Sequence, residues 1–189
     1  PVFHPPPLYP IVVGAFASLG GARELFEVSL SYLRLPSIFL TIFTTFLVFV
    51  VCRKLYNEKS AYLASLLYAT IPIVVVSGRL AKEENLLAPL FLLVILSTLK
   101  FLDTGRQHHL YVSATLAGIA SLTKPPGICI GGVVAIILAS HGKWREVLKA
   151  AVICLGVFSG YFIYGWWYGW EMFTEILGAY STMTTRLDT

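Results

Sequence analysis

The sequence predicts an all-α protein: a polytopic transmembrane helical bundle of about six spans, preceded by an interfacial helix near the N-terminus. Its 189 residues are 57% hydrophobic and 13% charged, which leaves too little polar surface to cover a water-soluble globule. Six runs between residues 35 and 170 are apolar on every side, whereas a surface helix of a soluble protein carries polar residues along one face. Most charges lie between or outside these runs, so we expect lipid to surround the helices.

Each run is expected to be a helix, because lipid offers backbone N–H and C=O groups no partner outside their own segment. The runs comprise residues 35–52, 61–77, 86–102, 110–123, 125–140 and 147–170. The fourth is short: at ~1.5 Å per residue it covers about 21 Å of a hydrocarbon core roughly 30 Å thick. We therefore expect Lys124, Pro125 and Pro126 to lie in the headgroup layer or in a water-filled pocket at membrane depth.

The charges of the hinges between the runs predict the orientation of the bundle. The first, third and fifth hinges carry eight Lys and Arg residues against three acids, while the other face carries six against seven, so the net charges are +5 and −1. Cytoplasmic loops of membrane proteins hold the excess of Lys and Arg. We therefore expect these three hinges at the cytoplasm and the second and fourth hinges at the extracytoplasmic surface. The eight basic residues are Arg53, Lys54, Lys59, Lys100, Arg106, Lys143, Arg145 and Lys149.

The second and fourth hinges are short and hold Arg79, Lys82 and Lys124 close to hydrocarbon. Charges at this depth are costly and are usually retained for a task. Three cations in two hinges at one surface could converge on an anionic phosphate, for which arginine offers a planar fork and lysine a compact charge. The alternative is that each side chain only extends to the headgroups, as lysines at helix ends commonly do.

Two acids, Glu83 and Glu84, follow in the second hinge. A carboxylate there could orient an arginine, contact a sugar hydroxyl or bind a divalent cation through its oxygens. The alternative is a cap on the next helix, because acids in a first turn interact favourably with the helix dipole. Two acids in one loop do not establish a metal site, and no cofactor is firmly predicted.

Several short motifs follow one another in a recognisable order along the chain. They are His4-Pro5-Pro6-Pro7-Leu8-Tyr9, Leu33-Arg34-Leu35-Pro36-Ser37, Arg53-Lys54-Leu55-Tyr56, Arg79-Leu80-Ala81 with Glu84, and Leu122-Thr123-Lys124-Pro125-Pro126-Gly127. In this order the chain resembles the GT-C membrane glycosyltransferases, within them the branch of protein O-mannosyltransferases and bacterial aminoarabinose transferases. The resemblance covers almost the whole chain.

The resemblance implies an inverting enzyme that takes a sugar from a polyprenyl or dolichyl phosphate and passes it to a protein or glycolipid acceptor on the extracytoplasmic face. It also implies that the main catalytic acid lies in a large outer loop upstream of Pro1, so that this chain is an internal fragment and inactive alone. The implied donor ligands are His4, Arg79, Glu84 and Lys124. Lys82 is added as a candidate on its charge alone, because the family pattern is apolar or variable at that position. The cell membrane of a bacterium or archaeon is the expected location.

The same resemblance divides the chain. Residues 1–34 would end the first outer loop, 35–170 would form six transmembrane helices, and 171–189 would begin a further outer loop. Because its 13 residues are too few to span, we expect residues 8–20 to lie along the surface, the alternative being a short tilted span. Residues 171–180 are likewise expected to form a surface helix.

The competing class is a transporter or lipid flippase fragment. Such proteins carry ionisable groups near the membrane midplane and helices broken at matching points of two halves. In this sequence the charges lie at the ends of the runs, and no repeat between halves is visible. The pattern therefore favours the transferase.

Overall fold

The computed structural model describes residues 8–22 and 27–186. Those residues form α-helices joined by short connections, with one 3₁₀ turn at Pro125–Gly127 and no strand among them. The all-α class predicted from the sequence is therefore confirmed. The helices are α1 Leu8–Leu19, α2 Leu30–Leu55, α3 Glu58–Thr70, α4 Pro72–Ser77, α5 Glu84–Thr104, α6 Gln107–Ser121, α7 Ile128–Ser140 and α8 Trp144–Arg186.

Among the described residues, three helices are long and apolar enough to cross a membrane: α2, α5 and the first part of α8, Trp144–Trp167. The helices α6 and α7, at 15 and 13 residues, are shorter than the roughly 20 residues that a span requires. Integral membrane character is therefore supported by the long helices, and the number of six spans remains a prediction.

The second predicted span is not one continuous helix. It is divided at Ile71, whose ψ of 121° is extended, into α3 and the six-residue α4. The physical reason is Pro72, which lacks the N–H that a continuous helix would use and disfavours helical geometry in the residue before it. The break places a short, separately oriented helix just before the hinge that holds Arg79.

The core lies where α5, α6, α7 and α8 meet. Small residues let these helices approach closely: a Cβ added to Gly118 of α6 would lie 2.5 Å from the Val157 side chain of α8. Within this core the hydroxyls of Thr98 and Ser113 lie 2.7 Å apart and so satisfy each other between α5 and α6. The packing fixes α5 against α6, and with it the hinges at their ends.

Two ends of the bundle can be distinguished by their contacts. At one end, Lys54 in the last turn of α2 pairs with Asp103 of α5, and the Lys143 ammonium lies 5.5 Å from the centre of the Phe101 ring. The first, third and fifth hinges therefore meet there, and we call it the basic end. At the other, Glu84 and Lys124 bring together the second and fourth hinges, and we call it the site end.

Helix α8 is kinked at Gly169, whose φ of 143° only glycine adopts readily. The predicted end of the last span, Trp170, is one residue away. Beyond the kink Phe173 folds back onto the preceding turns, where a Cβ on Gly165 would lie 2.5 Å from its ring. Residues 171–180 are helical as predicted, and their position at the membrane surface remains a prediction.

Candidate functional site

The first component of the site end is the loop of residues 78–83 between α4 and α5, here called the site loop. Asn85, which is 8% exposed, fixes it by donating from Nδ2 to the carbonyl oxygens of Ser77, at 2.9 Å, and Leu80, at 2.8 Å. Gly78 packs against α2, because a Cβ there would lie 2.7 Å from the Thr41 hydroxyl. The start of the site loop is thus attached to α2 and to α5.

The second component is the turn that presents Lys124. After α6 ends at Ser121, the Gly127 N–H donates to the Lys124 carbonyl at 2.8 Å and closes a tight turn. The turn lies directly on the end of α6: a Cβ on Gly127 would be 2.2 Å from the Ala120 oxygen. Only glycine permits this approach, so Lys124 projects from a backbone held in one position.

The two components meet in an ion pair between Lys124 and Glu84. The Lys124 ammonium lies 2.5 Å from Glu84 Oε1, and the two side chains are 37% and 51% exposed. Hydrogen bonding to this carboxylate raises the pKa of Lys124, and the nearby charge of Glu83 acts in the same direction. Lys124 is therefore a cation throughout the neutral range, and water still reaches it.

The other predicted residues are distributed around this pair. Lys82 is exposed, and its positive charge interacts electrostatically with the Glu84 carboxylate. Arg79 is also exposed and lies at the edge of an apolar groove rather than on the pair. His4 lies outside the described residues. The structure thus brings together Glu84, Lys124 and Lys82, with Arg79 to one side.

Two depressions open beside these residues. The groove, of about 370 Å³, runs between α2 and α4 and is lined mainly by apolar side chains including Ile42 and Val75. The cavity, of about 170 Å³, lies between α2, α3, α4 and α5 and includes Glu84 and Asn85 in its wall. Thr41 and Val74 line both depressions, so the groove and the cavity share a wall.

Sequence reasoning missed Tyr9, which connects α1 to this region. Its side chain is 4% exposed, and its hydroxyl lies 2.8 Å from Ser37 Oγ of α2. Burial raises the pKa of Tyr9, an effect that the Ser37 hydrogen bond opposes and that the charge of Glu83 reinforces. The signal that could have identified it is the Leu8-Tyr9 pair that ends the HisPro motif.

The family model described as dolichyl-phosphate-mannose-protein mannosyltransferase matches residues 4–170. The chain belongs to this family. Membership confirms the resemblance inferred from the motifs and implies glycosyl transfer from a polyprenyl phosphate-linked sugar by an integral membrane protein. The comparisons with curated proteins and with solved structures each gave no match.

The part of the chain that matches the mannosyltransferase family includes α1 to α7, the site loop and the turn that holds Lys124. A divalent cation gains no support from the geometry. Within the described ranges, no three or more His, Cys, Asp or Glu residues are grouped as metal ligands, and Glu84 is already bound to Lys124.

Proposed function

We propose that this chain forms the donor-binding part of an inverting glycosyltransferase in the cell membrane of a bacterium or archaeon. The donor is a sugar linked to polyprenyl or dolichyl phosphate, and the acceptor is a protein or glycolipid on the extracytoplasmic face. The observation that carries the proposal is the position of Lys124: a cation on a rigid turn, paired with Glu84 of the cavity wall, while the groove shares Thr41 and Val74 with that cavity.

The reaction requires a cation because charge grows on the leaving group. The bond from the sugar C1 to the phosphate oxygen breaks, its electron pair remains on the phosphate, and the acceptor oxygen forms a new bond to C1. The acceptor proton passes to a base, which the family resemblance assigns to a carboxylate of an outer loop. A preorganised ammonium such as that of Lys124 stabilises the increasing negative charge of the lipid phosphate.

The groove suits the lipid part of such a donor. Ile38, Ile42, Val74 and Val75 on α2 and α4 are among the residues that line it, and the exposed Arg79 lines it as well. An isoprenoid chain would contact the apolar walls, while Arg79 would bind two phosphate oxygens through its fork. We assign Arg79 to the phosphate on this complementarity of an apolar groove with a cation at its edge.

Glu84 competes with the phosphate for the same ammonium. In the structure its carboxylate holds Lys124 in place, and the increased pKa keeps the lysine protonated. Because both side chains are more than a third exposed, the pair contributes little to stability and separates at low cost. A lipid phosphate can therefore replace Glu84 as the partner of Lys124.

The test is the substitution Lys124→Ala in the complete protein, in membranes supplied with dolichyl phosphate mannose and an acceptor peptide. We expect transfer to fall roughly 100- to 1000-fold, as when one preorganised charge donor is removed from an active site. The matched control is Lys100→Ala, which removes an exposed lysine of α5. Both variants should insert into the membrane as the wild type does, and wild-type turnover by Lys124→Ala would refute the assignment.

A further inference from the structure

The cavity of about 170 Å³ has polar side chains along much of its wall. Beside Glu84 and Asn85 it is lined by four hydroxyl-bearing residues on three helices, Thr41 and Thr44 of α2, Tyr68 of α3 and Ser77 of α4. At ~30 Å³ per molecule its volume corresponds to about six waters, or to one small polar ring. Polar side chains placed around a space of this size point to a polar occupant.

The hydrogen bonds of these residues determine which polar occupant suits the cavity. Thr41 and Thr44 donate their protons to the carbonyl oxygens of Ser37, at 2.8 Å, and Leu40, at 2.7 Å. Asn85 uses its Nδ2 for the two carbonyls of the site loop. The Tyr68 hydroxyl is already hydrogen-bonded to the Thr44 side chain, and the Ser77 hydroxyl can still donate to a ligand. The remaining groups offer a ligand mainly oxygen lone pairs, to which the Glu84 carboxylate adds its own.

A wall rich in acceptors disfavours an anion and favours a ligand with several O–H donors. A phosphate presents only acceptor oxygens to such a wall, and their repulsion would keep it at the mouth of the cavity, near Lys124. A sugar ring presents several hydroxyl donors together with C–H faces, which suit Val74 and Ala88 on the same wall. The cavity and the ion pair thus complement different parts of one lipid-linked sugar.

Resting on the proposed function, we propose that this cavity is the glycosyl subsite of the donor, in which Thr41, Thr44 and Asn85 accept hydrogen bonds from the sugar hydroxyls. The shared wall of Thr41 and Val74 sets the geometry. A donor with its isoprenoid chain in the groove would carry its phosphate past Arg79 toward Lys124, and its sugar across this wall into the cavity.

The test compares the binding of dolichyl phosphate mannose with that of dolichyl phosphate to the complete protein in nanodiscs. For the wild type we expect the mannosyl lipid to bind more tightly than the bare phosphate. Ala88→Leu fills the cavity, and we expect it to abolish this advantage while leaving the affinity for dolichyl phosphate unchanged. Thr44→Val keeps the shape and removes one acceptor, so we expect the advantage to fall roughly fivefold.

Matched controls separate the cavity from general effects on the bundle. Ala151→Leu makes the same change on α8, and Thr70→Val removes a threonine of α3 whose hydroxyl likewise bonds to a preceding carbonyl, that of Leu66 at 2.9 Å. Neither should change the ratio of the two affinities. Thermal unfolding shows whether each variant is folded. If Ala88→Leu is misfolded, the affinity ratio of Thr44→Val decides whether the cavity binds the sugar.

The outcomes distinguish failure of the subsite from failure of the proposed function. If Lys124→Ala weakens both lipids but neither Ala88→Leu nor Thr44→Val changes their ratio, the subsite is wrong and the donor site stands. If Lys124→Ala affects neither lipid, the donor site itself is wrong. A wild type that binds both lipids equally would also overturn the subsite.

Discussion

At the scale of single residues, the contact between Lys124 and Glu84 has two readings with different consequences. It could be a tether that holds two hinges together, or a poised cation that exchanges its partner for a phosphate. Both side chains are more than a third exposed, so water screens the pair and its contribution to folding is of the order of a surface ion pair, about 0–1 kcal/mol. An ion pair this weak does little to hold the two hinges together. This favours the view that Lys124 exchanges Glu84 for a phosphate.

Exchanging the two charges separates these readings. In the double variant Glu84→Lys with Lys124→Glu, the ion pair can form again but the cation has moved to the first residue of α5. We expect thermal unfolding close to that of the wild type, within about 1 kcal/mol, and transfer as low as in Lys124→Ala. Restoration of transfer by the second substitution would show that the pair is only a tether.

Charged and uncharged polar residues of the site differ in how far the sequence reveals them. Lys124, Glu84 and Arg79 interrupt apolar runs, and a charge beside hydrocarbon is visible from its cost alone. Thr44 and Tyr68 give no such signal. A threonine hydroxyl in an apolar helix can bond to its own backbone, as Thr44 does to Leu40, and Tyr68 is one of many uncharged aromatic residues in the sequence. Only the packing of α2 against α3 reveals that they border a cavity.

At the scale of elements, the connections between helices do more to position the site than the helices themselves. Most of each predicted run is α-helical, because the apolar pattern and the hydrogen-bonding needs of the backbone favour helices. The break at Ile71 and the start of α2 at Leu30 were not predicted from the apolar runs. Both depend on local chemistry, namely Pro72 and the hydrogen bond from the Ser31 N–H to the Ser29 side chain, rather than on hydropathy.

The turn after α6 is the connection whose alteration should matter most. Gly127→Ala introduces a Cβ that would lie 2.2 Å from the Ala120 oxygen, a backbone atom that cannot move aside. We expect the turn to shift, with a loss of roughly 1–3 kcal/mol of stability and a loss of transfer as Lys124 moves from Glu84. Thermal unfolding and the transfer assay measure the two effects.

Gly132→Ala is the matched control for that substitution. Gly132 lies in α7 with no neighbouring atom within 4 Å of an added Cβ, so alanine should be neutral or stabilise the helix by up to about 1 kcal/mol. If Gly127→Ala behaves like Gly132→Ala, the close approach of the turn to α6 does not set the position of Lys124.

At the scale of the whole molecule, the two ends of the bundle are joined by different means. The ion pair of Lys54 with Asp103 and the placement of Lys143 over Phe101 connect three hinges at the basic end, while Lys124 and Glu84 connect two hinges at the site end. The alternation of hinges between two ends follows from the predicted order of apolar runs. The excess of Lys and Arg predicts that the basic end faces the cytoplasm.

That orientation is tested by labelling single cysteines in intact cells. After replacement of Cys52, Cys129 and Cys154 by serine, Ala81→Cys puts a thiol in the exposed site loop and Lys59→Cys puts one at the exposed start of α3, at the basic end. We expect a membrane-impermeant maleimide to label Ala81→Cys directly and Lys59→Cys only after permeabilisation, because the excess of Lys and Arg holds the basic end inside.

The reverse pattern would place Lys124 and Glu84 at the cytoplasm and would refute transfer on the extracytoplasmic face. Labelling of both positions without permeabilisation would show that the two ends do not lie on opposite sides of the membrane. The proposed donor site requires the expected pattern, because a lipid phosphate lies in the headgroup layer and Lys124 can reach it only from the surface at which the turn emerges.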